Sequence, residues 1–227
     1  MRLRVVAYNV HGFRDDVERL ARLVNHYRPA VLLLNESGAR WQVRRFARAV
    51  GMRAASDPWS PLRRRVKNAI LVRSPWRIAE RRLHRFARSA RWFPRGALVA
   101  RLACPPATVT AVSIHLGLAP RERLAHVRTL LDLAARIEGP LVIGGDLNER
   151  PDGRAVAALG ERFRDAWLLA GDVAGETYPA REPSARIDYL FVSDAVVTQK
   201  VIVPAGPDAR GASDHLPVIA EVIVPDG

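Results

Sequence analysis

The sequence is poor in cysteine and has no long apolar run. Its one cysteine, Cys104, excludes an internal disulfide and a metal site built from cysteines. No stretch reaches the roughly 18–20 apolar residues that a membrane-spanning helix needs, so we expect no stable membrane insertion. The basic start is followed by a short apolar stretch without a small-residue cleavage pattern, which indicates a first strand and not a secretion signal. We therefore expect a cytoplasmic protein.

Acidic residues are scarce in one part of the chain, residues 40–101, which we call the basic segment. It holds 18 Arg or Lys against two acids, while the rest holds 18 against 21, so it supplies the whole excess behind the formal charge of +13. A concentrated positive field attracts polyanions, which favours a nucleic acid or another phosphate-rich partner. Codon bias is the alternative, because Arg outnumbers Lys 34 to 2. Since codon bias alone should not cluster charge in one segment, we favour the interpretation that the basic segment binds a phosphate-rich partner.

Apolar periodicity predicts alternating strands and helices in a single α/β domain over residues 1–227. The apolar run at 30–35 is short enough for a strand buried on both faces, and leucines at helical spacing predict a helix over 122–137. The other predicted strands are 3–9, 69–72, 97–102, 109–114, 141–145, 187–192, 196–203 and 217–224, and the other predicted helices are 15–27 and 41–50. These elements alone permit an ordinary doubly wound sheet.

Acid, amide and imidazole side chains stand at the ends of six of the apolar runs. They are Asn9, Glu36, His115, the pair Asp146 and Asn148, Asp188, and the pair Asp214 and His215. Any one of them has an ordinary alternative, since Asn and Asp after a strand commonly form turns by bonding nearby backbone. Six such places are hard to explain as independent turns. We therefore predict that the sheets bring them together around one small space, where α/β proteins place their chemistry.

The chemistry of such a group is that of a hard cation and a phosphate. Carboxylate and amide oxygens without cysteine suit Mg²⁺, with Mn²⁺ as the alternative. Such an ion stabilises charge that develops on a phosphorus centre and on its leaving oxygen. Imidazoles and a free carboxylate then orient water and move protons. The sequence therefore predicts an anionic phosphate substrate.

Seven motifs together resemble the endonuclease/exonuclease/phosphatase superfamily, which includes pancreatic-type deoxyribonuclease, abasic-site endonucleases, neutral sphingomyelinases and inositol-polyphosphate 5-phosphatases. The motifs are YNVHG (8–12), LLNE (33–36), NAILVRSP (68–75), SIHLG (113–117), GGDLNERP (144–151), RIDYLFVS (186–193) and SDHLPV (213–218). They occur in family order over residues 5–222. The resemblance implies a four-layer α/β/β/α sandwich of two stacked, mainly antiparallel sheets flanked by helices, and this replaces the doubly wound alternative.

The resemblance also implies a role for each polar residue. Glu36 is similar to the principal metal ligand, with Asn9 beside it and Asp214 helping to hold metal or water. Asp146 and Asn148 are similar to the pair that positions the attacking water, and His215, oriented by Asp188, to the imidazole that faces the phosphate. His115 is similar to a second imidazole on the phosphate. Because the family disagrees over the general base, we assign that role jointly to Asp146 and His215.

Other residues are predicted to contact the substrate, although the resemblance is weaker there. Thr177 lies in ETYP (176–179), which resembles a turn of the family near the substrate. Arg44, Arg45 and Arg48 are candidates for contacts to backbone phosphates, and Trp41, Trp59 and Trp92 for stacking on bases or, equally, for core packing. The principal candidates are Arg40, Arg63, Arg64, Arg65, Lys67, Asn68 and Thr177. No residue is a confident counterpart of the acid that supports the second imidazole in deoxyribonuclease; Asp57 and Glu80 are weak candidates.

Three functions remain open. The first is a Mg²⁺-dependent hydrolase, acting as a monomer, that cleaves nucleic-acid phosphodiesters, with DNA favoured by the basic segment. The second keeps the hydrolase but gives it a phosphoinositide, a phospholipid head group or a small phosphorylated metabolite. The third is a nucleic-acid-binding protein with a relict centre, which the complete set of polar residues disfavours.

Overall fold

The computed structural model describes residues 1–57, 65–87, 93–172 and 175–226. Twelve strands occur in this part of the chain: β1 (Arg2–Asn9), β2 (Val31–Asn35), β3 (Arg53–Ser56), β4 (Ala69–Val72), β5 (Arg77–Arg85), β6 (Gly96–Cys104), β7 (Ala107–His115), β8 (Leu141–Asp146), β9 (Arg164–Asp165), β10 (Asp188–Val192), β11 (Val197–Ile202) and β12 (Val218–Ile223). The six α-helices are α1 (Val17–Tyr27), α2 (Arg40–Ala49), α3 (Pro120–Ala134), α4 (Arg154–Gly160), α5 (Ala166–Ala170) and α6 (Pro207–Ala212). None of these helices is long and apolar enough to cross a membrane.

The strands form two six-stranded sheets. The first has the order β11-β12-β1-β2-β4-β3, and the second has the order β5-β6-β7-β8-β10-β9. Each sheet contains one parallel pair, β1 with β2 and β7 with β8, and its other pairs are antiparallel. The mainly antiparallel pairing that the resemblance implies is therefore confirmed, and a doubly wound parallel sheet is excluded.

The central strands are apolar on both faces, and this places helices outside both sheets. In β1, Val5 and Ala7 face the second sheet, while Val6 and Tyr8 face the helices, because successive side chains alternate across a strand. Residues of α1, α2 and α6 cover the outer face of the first sheet, and residues of α3 and α4 cover that of the second. The result is the four-layer sandwich.

Local chemistry explains where the first helix begins and ends. Asp16 precedes α1, and its side chain accepts a hydrogen bond from the backbone nitrogen of Arg19 at 2.8 Å, which satisfies a free donor of the first turn. Arg28 ends the helix in the left-handed conformation (φ 45°), directly before Pro29, which cannot continue it.

The sequence-based prediction of about nine strands was too low. The unpredicted strands β3, β5 and β9 all lie at sheet edges, where side chains need not be apolar. The longest of them, β5, reads RIAERRLHR and carries mostly exposed or half-buried residues, so it lacks an apolar pattern. Short helices α4, α5 and α6 were also missed, and the predicted helix at 122–137 spans Pro120–Ala134 instead.

Strand pairing brings the predicted polar residues to one edge of the sandwich. Asn9 pairs with Asn35 at the ends of the parallel strands of the first sheet. In the second sheet Asp146 pairs with His115 on one side and with Asp188 on the other. The ends of five strands therefore supply the floor of one site.

Candidate active site

Asp146 lies at the centre of the site and is almost completely buried (2% exposed). Its Oδ2 accepts a hydrogen bond from Asn9 Nδ2 at 3.0 Å and lies 3.3 Å from His115 Nε2. Its Oδ1 accepts from the backbone nitrogen of Asn148 at 2.8 Å, and His215 Nε2 is 3.9 Å from Oδ2. Donors thus converge on this carboxylate from several segments of the chain.

His215 is held from behind by Asp188. The distance from His215 Nδ1 to Asp188 Oδ2 is 2.8 Å, and both side chains are buried. With Nδ1 bonded to the carboxylate, Nε2 is left to face Asp146 and the cavity. The Tyr178 ring packs against the imidazole with centroids 4.8 Å apart, which further restricts its orientation.

The charges of this group follow from its contacts. Burial alone would raise the pKa of the Asp146 carboxyl, but the charge and hydrogen bond of His115 and the charge of His215 hold it well below its usual value. Burial alone would lower the pKa of His215, but Asp188, then Asp146 and Asp214, raise it from 6.5 to about 10. At neutral pH the site therefore contains an ionised Asp146 beside a protonated His215.

His115 has an arginine beside it in place of the acid expected from deoxyribonuclease. Nη1 of Arg95 lies 2.6 Å from Nδ1 and 2.9 Å from Nε2 of the imidazole. The two weak candidates for that acid are engaged elsewhere: Asp57 receives Arg85 at 2.7 Å, and Glu80 lies 4.0 Å from Arg101. The sequence analysis did not identify Arg95, which precedes β6 without a distinguishing motif.

A buried amide joins the two sheets directly below the site. Asn35 Oδ1, on the first sheet, accepts from the backbone nitrogen of Asp146 at 2.9 Å, and its Nδ2 donates to the carbonyl of Ile114 at 2.7 Å. Gly145 makes this close approach possible, because a Cβ there would overlap the Ile114 carbonyl oxygen and its φ of 146° is rarely adopted by other residues. Asn35 thereby fixes the position of the Asp146 backbone relative to the first sheet.

Glu36 and Asn148 occupy strained backbone positions at the rim. Both have positive φ, 50° for Glu36 and 52° for Asn148, which costs energy in residues with a side chain. Asn148 Nδ2 donates to the Leu116 carbonyl at 3.0 Å, so its amide is held in place beside Asp146. Glu36 Oε1 lies 3.5 Å from Asn9 Nδ2, and Asn9 thus bridges the carboxylates of Glu36 and Asp146.

The donor set fits a hard divalent cation. In the described part of the chain, no Lys, Arg or His nitrogen forms an ion pair with Glu36, so its charge is not neutralised by a basic side chain there. The carboxylate oxygens of Glu36 and of its neighbour Asp146 are the kind of ligand that Mg²⁺ and Mn²⁺ prefer. Asp146, Asp188 and His215 form a second possible ligand group, since their ligand atoms lie within 4.8 Å of one another.

A further group with metal-ligand spacing contains Asp214. His11 Nδ1 lies 2.9 Å from Asp15 Oδ2, and His11 Nε2 lies 3.8 Å from Asp214 Oδ2. The three ligand atoms fall within 4.8 Å of one another at the mouth of the site. His11 and Asp15 were not predicted as site residues, although His11 lies inside the motif YNVHG.

Six of the predicted catalytic and metal residues line one cavity of about 540 Å³. Its walls carry the basic residues Arg14, Arg65, Lys67 and Arg95 and the larger apolar side chains Phe93, Leu118, Tyr178 and Ile187. The catalytic and metal residues among its lining are Glu36, His115, Asp146, Asn148, Asp214 and His215. The cavity is therefore positive on its walls and acidic at its floor.

The predicted substrate contacts divide into three groups. Arg65, Lys67 and Asn68 line the cavity, although Asn68 Nδ2 already donates to the carbonyls of Gly96 and Ser113 at 3.0 and 2.8 Å. Arg40 is exposed and does not line this cavity. Arg63, Arg64, Trp59 and Trp92 lie outside the described residues.

Thr177 is not brought to the cavity surface. It is completely buried, and its hydroxyl accepts hydrogen bonds from the backbone nitrogens of Ile187 and Asp188 at 3.3 and 3.2 Å. The Thr177 hydroxyl is therefore not positioned to contact the substrate. Thr177 supports the start of β10, the strand that carries Asp188.

The comparison with protein families identifies this arrangement. The family model described as the endonuclease/exonuclease/phosphatase family matches residues 6–215, nearly the whole chain. The chain belongs to this family. It is thus a phosphoester hydrolase of the endonuclease/exonuclease/phosphatase type with a buried Asp/Asp/His group. No curated protein matches the sequence significantly.

Solved structures share the family's fold at low identity. An endonuclease/exonuclease/phosphatase protein from Bacteroides vulgatus is 15% identical with a TM-score of 0.85, covering 99% of this chain and 100% of its own. A humanized D. rerio TDP2 is 20% identical with a TM-score of 0.83, covering 98% and 99%. A mannosyl-6-phosphatase from Bacteroides thetaiotaomicron is 17% identical with a TM-score of 0.80, covering 97% and 99%. At these low identities, the three similarities establish a shared fold and nothing further.

Proposed function

We propose that this protein hydrolyses phosphodiester bonds of nucleic acid, with DNA as the favoured substrate, in a reaction that depends on Mg²⁺ or Mn²⁺. One observation carries the proposal: a single cavity combines an acidic floor, a protonated imidazole and basic walls. The acidic floor suits a metal ion, and the basic walls suit the phosphates of a polyanion.

The residues of the floor divide the chemistry between them. Glu36 would hold the metal ion, which when bound stabilises charge on the phosphate, while Asn9 orients the Asp146 carboxylate by donating Nδ2 to it. Asp146 is ionised and accepts hydrogen bonds, so it orients the attacking water and takes its proton as the new phosphorus–oxygen bond forms. The ester phosphorus–oxygen bond breaks, and the leaving oxygen takes up a proton from solvent. His215 presents Nε2 to the cavity while Asp188 holds Nδ1, so it donates a hydrogen bond to a phosphate oxygen as negative charge develops there.

The second imidazole acts on the same phosphate. Arg95 Nη1 lies within 2.9 Å of both ring nitrogens of His115, so the guanidinium places positive charge beside the imidazole that faces Asp146. Asn148 holds a further phosphate oxygen or the water through its side-chain amide. This division of roles replaces the joint assignment of the general base to Asp146 and His215: Asp146 alone accepts the proton, because His215 is already protonated.

A phosphatase acting on a small phosphorylated metabolite is the second candidate. The shared fold with a mannosyl-6-phosphatase favours it, and a cavity of about 540 Å³ is large enough for one sugar phosphate. A nucleic-acid-binding protein with a relict centre is disfavoured, because every predicted catalytic and metal residue is present.

The decisive experiment compares the wild type with Asp146→Asn on plasmid DNA, an abasic oligonucleotide, RNA, an inositol phosphate and mannose 6-phosphate, each with Mg²⁺, Mn²⁺ or EDTA. We expect metal-dependent cleavage of DNA that Asp146→Asn reduces at least about 100-fold. Asp152→Asn, an exposed acid six residues away, is the matched control and should keep wild-type activity. Turnover of mannose 6-phosphate alone would assign the phosphatase function, and cleavage that survives in Asp146→Asn would refute the roles given above.

The monomeric state and the cytoplasmic location belong to the same proposal. Size-exclusion chromatography with light scattering tests the first, with about 25 kDa expected from the mass of the chain. Subcellular fractionation of the cells that produce the protein tests the second, and we expect the protein in the cytoplasmic fraction.

A further inference from the structure

Arg65 is a buried cation whose hydrogen-bonding capacity is mostly unused. It is 2% exposed, and its Nη1 donates to the backbone carbonyl of Gly38. Among the residues that the structure describes, its Nε and Nη2 find no hydrogen-bond partner. A buried guanidinium is costly unless an anion and full hydrogen bonding compensate it, so these two donors indicate a missing partner.

No carboxylate of the described chain supplies that partner. The nearest relevant acid is Asp57, whose Oδ2 already receives Arg85 Nη2 at 2.7 Å and the backbone nitrogen of Val66 at 3.2 Å. Burial, in spite of the charge of Asp57, lowers the pKa of Arg65 to about 10, so the guanidinium still carries its charge at neutral pH. This charge therefore has no carboxylate partner within the described residues.

Arg65 faces the cavity on the side of the metal-binding Glu36. Gly38, which accepts from Arg65, is two residues beyond Glu36, and the backbone nitrogen of Ser37 donates to the Lys67 carbonyl at 2.9 Å. Arg65 and Lys67 both line the cavity. The two cations thus form one wall, next to the Glu36 loop and separate from the two imidazoles that contact Asp146.

An aromatic ring completes this wall. Lys67 Nζ lies 5.8 Å from the centre of the Phe93 ring, which is 60% exposed and also lines the cavity. A flat exposed ring beside a cation suits a group that has a planar or sugar face as well as a negative charge. It does not suit a purely apolar ligand.

We infer that Arg65 and Lys67 form a second anion subsite, which binds a phosphate of the substrate that is not cleaved. This inference rests on the proposed function and narrows it: the preferred substrate is a phosphate ester that carries a second phosphate. A polynucleotide meets this requirement at every linkage, whereas a sugar monophosphate does not. An inositol bisphosphate has the same chemistry.

The test measures binding by isothermal titration calorimetry with Ca²⁺ in place of Mg²⁺ to slow turnover. The probes are thymidine 3′,5′-bisphosphate against thymidine 5′-monophosphate, and inositol 1,4-bisphosphate against inositol 1-phosphate. We expect the wild type to bind at least one bisphosphate about tenfold more tightly than its monophosphate. A charge-assisted hydrogen-bonded pair commonly increases binding affinity by about this factor. The preferred bisphosphate identifies the source of the second phosphate.

Variants locate the effect. Lys67→Gln and Arg65→Gln should reduce the bisphosphate preference to about threefold or less, while Arg128→Gln, an exposed arginine of α3 outside the cavity, should keep it. If Arg65→Gln does not fold, the bisphosphate preference of Lys67→Gln alone is the test. An unchanged preference in Lys67→Gln, or no preference in the wild type, overturns the subsite.

The two proposals fail separately. If the wild type prefers a bisphosphate but hydrolyses no phosphoester, the subsite stands and the proposed function falls. If it cleaves DNA but shows no bisphosphate preference, the proposed function stands and the subsite falls.

Discussion

The pair of Asp188 and His215 gives the sharpest test of the electrostatics of the site. Asp188→Asn keeps the shape of the side chain but removes the charge 2.8 Å from His215 Nδ1. The pKa of His215 is raised from 6.5 to about 10 by Asp188, Asp146 and Asp214 against the opposing effect of burial. Because Asp188 is the strongest of the three, we expect the variant pKa to fall by at least about two pH units, or about 3 kcal/mol.

The measurement is an NMR titration of the histidine rings from pH 5 to 11 in EDTA, which removes any bound divalent ion. The His215 resonances of the wild type should titrate far above 7, and those of Asp188→Asn should move toward or below neutral pH. A His215 that titrates near 6.5 in the wild type, or equally in both proteins, would refute the reasoning.

The same shift predicts how stability depends on pH. Because the folded pKa of His215 is raised above its unfolded value, its stabilising contribution is complete below about pH 6.5 and is lost as the pH rises through about 10. The difference in urea stability between the wild type and Asp188→Asn should therefore be largest near pH 6 and shrink toward pH 10. A difference that grows with pH would contradict this sign.

Three further predictions concern the metal, the strand below the site and the core. Glu36→Gln should raise the Mg²⁺ concentration for half-maximal activity at least about tenfold without changing the melting temperature, and an unchanged metal requirement would place the ion elsewhere. Gly145→Ala should destabilise the fold by at least about 2 kcal/mol in urea, because its Cβ would overlap a carbonyl of the neighbouring strand, while Gly160→Ala, with open space around it, should be neutral or stabilising. Leu33→Ala, fully buried between the sheets, should cost about 2–5 kcal/mol, and Leu168→Ala, 79% exposed, less than about 0.5; equal costs would place the core elsewhere.

The floor of the site was predictable because its residues interrupt apolar runs. A carboxylate such as Asp146 directly after a buried strand is costly without partners, and the recurrence of such polar residues at six strand ends indicated chemistry. The strands that carry these residues are central and apolar, which is the pattern that periodicity detects best.

The walls and edges were less predictable, for a related reason. The strand β5 lies at a sheet edge and needs no apolar alternation, so its charged sequence concealed it. Arg95 reaches His115 across a strand pair, and Thr177 is buried by contacts with residues ten or more positions away. Such contacts depend on how distant segments pack, which no local pattern in one sequence records.

The amide of Asn35 has a consequence for how this enzyme loses activity on heating. Its hydrogen bonds attach the backbone beneath Asp146 to the opposite sheet, so any sliding of one layer over the other displaces the central carboxylate directly. Thermal inactivation should therefore begin with the first loosening between the layers, before either sheet has lost its own strand pairing.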